Sequence, residues 1–174
     1  MASYDEMRLD SCYHEAAHAV FDYRAGFAIR YVSVETPGRY DLRDVCMSET
    51  TMAPTQAVQV ASGLLAGELA VYRLRGEQKP AVEPSAWAEV CLACVEEAWD
   101  GGDDNDDVRA FRLLSAAVDH DVLPSVEVGY EEARSFAALH LSQWWSVVIV
   151  VAEALREQGR LEGDACTALM AAAF

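Results

Sequence analysis

The sequence predicts a mainly α fold with one small β element, and three observations carry that prediction. Most of the 174 residues fall into stretches that open on an N-cap or proline signal and close on glycine, as helices do. One run, from Phe27 to Glu35 (FAIRYVSVE), roughly alternates and is rich in aromatic and β-branched residues. No internal repeat and no glycine-rich phosphate loop breaks this pattern.

The elements follow in order. Ser3 with Glu6 three residues on forms a capping box, and Gly26 is a good helix stop, so the first helix is expected from about Ser3 to Ala25. The strand at Phe27–Glu35 turns at Thr36-Pro37-Gly38, and Arg43 to Thr50 is expected to return as a second, weaker strand. Pro54 opens a second helix that runs to about Arg75 and stops at Gly76; Ala61, Gly63, Ala66, Gly67 and Ala70 allow close helix contact along it. A linker from Pro80 to Pro84 precedes a third helix, Ser85 to about Trp99. A fourth is expected to begin near Asp106 and run through Val118, with acidic residues at the positive end of its dipole. Ser125 to Gln158 reads as one long helix or two with a break near Ser142, closed by Gly159, and a short last helix follows Gly163. A chain of this length buries roughly 70% of its unfolded surface and is expected to form a single domain over 1–174 without staples.

Thirteen Lys plus Arg against 29 Asp plus Glu leave a formal charge of −16, which argues against a nucleic-acid partner. MASYDEMRLD lacks a basic n-region and an apolar h-region, so no secretory signal is expected. The most apolar run, Trp144 to Leu155, holds Glu153 and is shorter than the ~20 residues of a spanning helix; it reads as a core helix, not a membrane insertion. Five cysteines without framework spacing suit a reducing, cytoplasmic setting. Cys91 and Cys94 form a lone CxxC inside a helical pattern and read as two buried thiols on one helix face. His120 and His140 read as ordinary polar residues, Trp144 and Trp145 as core, and the acidic Gly101–Asp107 lacks the spacing of a calcium loop.

Chemistry concentrates in His14-Glu15-Ala16-Ala17-His18, an HExxH within the first helix. Residues four apart on a helix share a face, with Cβ atoms about 5–6 Å apart, so both imidazoles can converge on one Zn²⁺. Glu15 follows His14 by about 100° of helix rotation, where its carboxylate can take a proton from zinc-bound water. Glu6, Asp10, His14, His18 and Asp22 succeed one another at steps of four, so Asp10 and Asp22 are candidates to accept the outer imidazole N–H bonds. Catalytic zinc usually has a third protein ligand. Phe21 and Arg24 occupy the places where a metzincin needs Gly and His, and Asp22 lies ~12 Å from His14 along the same helix, so another element must supply the ligand. Glu35 at the strand end is one nominee; an Asp from a distant helix is the other.

The chain resembles the peptidase module of FtsH-type zinc metalloproteases. Tyr13-His14-Glu15-Ala16-Ala17-His18-Ala19-Val20 is similar to that family's YHEAGHAV helix, and Ile29 to Pro37 to its following strand, VxxVTIxPxG. Ala61 to Glu68 resembles GGRAAEE, and Asn105-Asp106-Asp107-Val108-Arg109-Ala110 resembles NDLxxA, whose Asp is the family's third zinc ligand. The stretch from Ala152 to Leu155 and on through Leu161 to Asp164 resembles its final helix pair. The likeness covers about Asp10 to Leu169; Ala17 replaces the usual Gly, and no ATPase half is present in these residues.

The resemblance implies a zincin-like, multi-helix metallopeptidase domain with His14, His18 and Asp106 as zinc ligands and Glu15 as general base. Asp106 is favoured over Asp103 and Asp107 because Ala110 then falls four residues later, as in the family pattern. The expected activity is ATP-independent hydrolysis of a peptide or protein substrate, with Val32 to Val34 pairing an extended peptide by strand addition. A zinc enzyme of small molecules and a non-catalytic zinc-binding interaction module are the alternatives, and a homo-oligomer is compatible with each.

Overall fold

A computed structural model describes residues 4–34, 39–43, 54–97 and 105–174. Among these, six helices and three strands follow in the order α1 (Tyr4–Ala25), β1 (Ala28–Ser33), β2 (Arg39–Arg43), α2 (Pro54–Leu74), α3 (Pro84–Glu97), α4 (Asp106–Asp119), α5 (Val126–Gln158), β3 (Arg160–Glu162) and α6 (Gly163–Ala173). The fold is mainly α, as predicted, with one small sheet. Ser3, Glu35, the Thr36–Gly38 turn, Trp99 and most of the Gly101–Asp107 patch lie outside the described residues.

Contacts divide the chain into two compact units. The first comprises Met1–Cys46, Ala66–Gln78 and Ala138–Phe174. Its central element is α1, in which the eight consecutive residues from Glu15 to Asp22 are buried. A helix buried on every side needs small and apolar residues all round, and Ala16, Ala17, Ala19, Val20 and Phe21 supply them. Its end is fixed by Gly26 at φ +84°: the Phe27 N–H donates to the Asp22 carbonyl (2.9 Å) and the Gly26 N–H to that of Tyr23 (3.1 Å), a Schellman closure. That turn delivers the chain directly into β1.

β1 is the central strand of the order β2-β1-β3, antiparallel to both neighbours. Val32 stands opposite Tyr40 on one side and Leu161 on the other, with a register shift between Ile29 and Tyr31 toward β2. The return strand is Arg39–Arg43, ahead of the Arg43–Thr50 stretch, of which residues 44–50 lie outside the described residues. Arg160–Glu162, the link between the two expected helices, forms a third strand: Gly159 at φ +73° ends α5, and its carbonyl accepts from the Val34 N–H (2.9 Å). Both edges of β1 are therefore taken at Val32 and Ser33, so this strand cannot pair a peptide as the resemblance implied.

The second unit comprises Met47–Leu65 and Lys79–Ala137. Its core gathers Ala57, Ala61 and Leu65 of α2, Trp87 and Cys91 of α3, Leu114 of α4 and Tyr130 of α5. Trp87 organises it: the indole stacks on Tyr130 at 4.0 Å between centroids, meets Phe111 edge-on at 5.8 Å, and donates its N–H to Asp107 Oδ1 at 2.9 Å. A buried Trp needs such an acceptor, and the first turn of α4 provides it.

α5 runs unbroken through Ser142 for 33 residues. By length and composition it is the one helix among the described residues that could span a bilayer, more than the Trp144–Leu155 run alone indicates. Tyr130, Ala133, Ala137, Leu141, Val148, Val151 and Leu155 are nevertheless buried along it, whereas Val128, Leu139 and Val150 are exposed.

Gly163 starts α6 against the β1 backbone, where an added Cβ would lie 1.8 Å from the Ile29 carbonyl oxygen. Backbone cannot yield cheaply, so Gly163→Ala is expected to cost about 3 kcal/mol or more in urea unfolding. At Gly26 an added Cβ meets nothing within 4 Å, and Gly26→Ala should cost only about 1–2 kcal/mol of backbone strain. Equal costs at the two sites would contradict this account of α6 docking.

Candidate metal centre

The HExxH spacing works as helix geometry requires. His14 and His18 lie on one face of α1 with their Nε2 atoms 2.9 Å apart and their rings edge to face at 84°. His18 is buried and His14 partly so. Two imidazole nitrogens that converge this closely form half of a zinc donor set. Glu15, one residue round the helix, is only 5% exposed, and no fully buried side-chain polar atom among the described residues lacks a hydrogen-bond partner.

α2 closes over the same two rings at Gly67. A Cβ built there would lie 2.7 Å from His14 Nε2, His14 Cε1 and His18 Nε2, well inside contact distance. Gly67 is one of the five small residues of α2 that allow helices to approach. The structure gives it particular neighbours, the nitrogen tips of both candidate ligands. Only the small-residue stretch itself signalled this, because nothing local to residue 67 says which side chains face it.

The carboxylates expected around the histidines divide. Asp10 engages Arg75, whose Nε donates to Oδ1 at 3.4 Å and whose Nη2 lies closer still to Oδ2. Its expected bond to an imidazole N–H gives way to an ion pair with a residue 65 positions along the chain. Asp22 is buried at 6% exposure, and its carbonyl accepts the bond that closes α1.

In the second unit Asp106 is the first residue of α4, after Asn105, whose side chain accepts from the Val108 N–H at 2.9 Å and caps the helix. Asp106 is half-buried, and Arg109 Nη1 lies 3.4 Å from its Oδ1. Its neighbour Asp107 points elsewhere, to the Trp87 indole. The two carboxylates that sequence left as alternatives thus have different partners. Asp103 and Glu35, the other nominees, lie outside the described residues.

The CxxC reads as structure. Cys91 is buried in the second unit's core and Cys94 half-buried, both as free thiols. Burial first, then the charges of Asp107 and Cys94, push the Cys91 thiol up to about 12 from an ordinary 9.0; burial alone pushes Cys166 to about 11. Such thiols are poor nucleophiles and poor metal ligands at neutral pH. A raised folded-state pKa contributes stability that is complete below the unfolded value near 9 and is lost as pH rises toward 11 and 12. Unfolding free energy should therefore fall between about pH 9 and pH 11, and the double variant Cys91→Ala, Cys166→Ala should flatten that slope in urea titrations. An unchanged slope would show that neither thiol titrates with unfolding.

No protein-family model and no curated protein matches this chain.

Proposed function

We propose that the protein is a zinc metallopeptidase that hydrolyses peptide bonds without ATP, its metal held by His14, His18 and Asp106. The observation that carries the reading is the convergence of the two imidazole Nε2 atoms on α1, in an HExxH whose central Glu15 is buried beside them. Asp106 enters as the third ligand from the resemblance of Asn105–Ala110 to NDLxxA, and it stands at the start of α4. Two imidazoles and one carboxylate suit zinc better than the oxygen-seeking magnesium or calcium. The resemblance of residues 13–20 and 105–110 to FtsH-type peptidases points the same way.

Zinc, when bound, supplies a Lewis acid and lowers the pKa of water to ~7. The chain supplies the rest. Glu15 takes the proton of the attacking water and hands it to the leaving amine, a transfer that contributes about 10²–10⁴-fold in comparable enzymes. His14 and His18 fix the metal through one rigid helix, and the burial of Glu15 keeps bulk water from competing for its proton. The substrate peptide is held by something other than strand addition at β1.

The test is a series of variants assayed for zinc content and peptide hydrolysis. Wild-type protein should carry close to one zinc per chain, and the double variant His14→Ala, His18→Ala none. Glu15→Gln should keep the metal and lose at least about 10²-fold in kcat. Asp106→Asn should weaken zinc binding by about tenfold or more, while Asp107→Asn should leave it nearly intact and instead lose roughly 1 kcal/mol of stability through the Trp87 bond. Wild-type protein that neither holds nor takes up zinc would end the proposal, and full activity in Glu15→Gln would end the role of Glu15.

A further inference from the structure

Gly67 occupies a place where glycine needs an explanation. It lies inside the 21-residue helix α2, where glycine weakens a helix relative to alanine. Its backbone is not in the left-handed region, unlike Gly26, Gly76 and Gly159, so conformation does not demand it. What demands it is space: three imidazole atoms, two of them the converging Nε2 nitrogens, lie 2.7 Å from where a Cβ would sit. We infer that Gly67 is the positioning residue of the metal centre, its bare backbone setting how closely the two imidazole nitrogens approach each other. The inference rests on the metallopeptidase reading for its effect on zinc, and on packing alone for its effect on the rings.

The character of the contact gives the consequence its direction. The three atoms nearest to a methyl group at residue 67 are all tips of imidazole side chains, so the clash can be relieved by rotating the rings. Rotation relieves the clash and also turns the Nε2 lone pairs off their common point. A fold can absorb that change. A metal site, which needs its ligands held to within about 0.5 Å and 10–20°, cannot.

Gly67→Ala separates the two effects. Zinc affinity, measured by chelator competition, should fall roughly tenfold or more while far-ultraviolet dichroism stays that of the wild type. In metal-free protein the ring Cε1–H resonances of His14 and His18 should both shift. Thermal unfolding of metal-free protein supplies the second measurement. In a His14→Ala, His18→Ala background, Gly67→Ala removes no room that anything uses and should raise Tm through helix propensity; with both rings present it should lower Tm or raise it less. Wild-type zinc affinity in Gly67→Ala overturns the positioning role, even if wild-type protein binds zinc well. The same Tm change in both backgrounds overturns the packing on which it rests. If wild-type protein binds no zinc, the metallopeptidase reading and the positioning role fall together, while the Tm comparison still decides whether residue 67 packs on the imidazoles.

Discussion

Burying α1 on every side while it carries Glu15, His18 and Asp22 is the constraint on which the first unit depends. An ionisable group removed from water costs several kcal/mol unless a partner replaces the lost solvation. Three such groups within eight residues of one helix mean that the surrounding elements must supply polar partners as well as apolar cover. The described structure meets this condition, since no buried side-chain polar atom is left without a hydrogen bond. The small residues of the same segment, Ala16, Ala17 and Ala19, let neighbours come close enough to do so.

The sheet and the last helix follow from where α1 stops. The Schellman turn at Gly26 sets the direction of β1, and β1 then organises its unit, with β2 and β3 on its two edges and α6 against its backbone. Gly163 admits α6 to that backbone at a distance no side chain would allow. Aromatic and guanidinium pairs cover the outside: Arg24 lies over Trp144 and Phe174, Arg73 over Trp145, and Arg160 over Tyr31 at 3.7 Å. In a chain with only 13 Lys and Arg, three arginines thus hold their guanidinium groups over ring faces, where the cation meets the negative face of the π system.

The second unit solves a different problem. Its core is built round Trp87, whose indole N–H must be satisfied inside an apolar cluster. Asp107 is the acceptor, and Asn105 caps the same turn of α4. Adjacent residues at one helix start are therefore engaged in different tasks, which is what separates Asp107 from Asp106 as a candidate ligand. The same carboxylate helps to keep the buried Cys91 of the CxxC protonated.

Much of this was legible in the sequence where the physics is local. Helix periodicity, the glycine stops at Gly26, Gly76 and Gly159, the strand at residues 28–33 and the meeting of His14 with His18 all depend on residues within a turn or two of one another. What tertiary structure decided is non-local. That Arg75 takes Asp10 from the histidines, that β3 closes the second edge of β1, that Asp107 answers Trp87 and that Gly67 faces two imidazoles are each set by segments distant in sequence. A side chain's spacing fixes which face of its helix it occupies, but the partner on that face is chosen by how the rest of the chain packs against it.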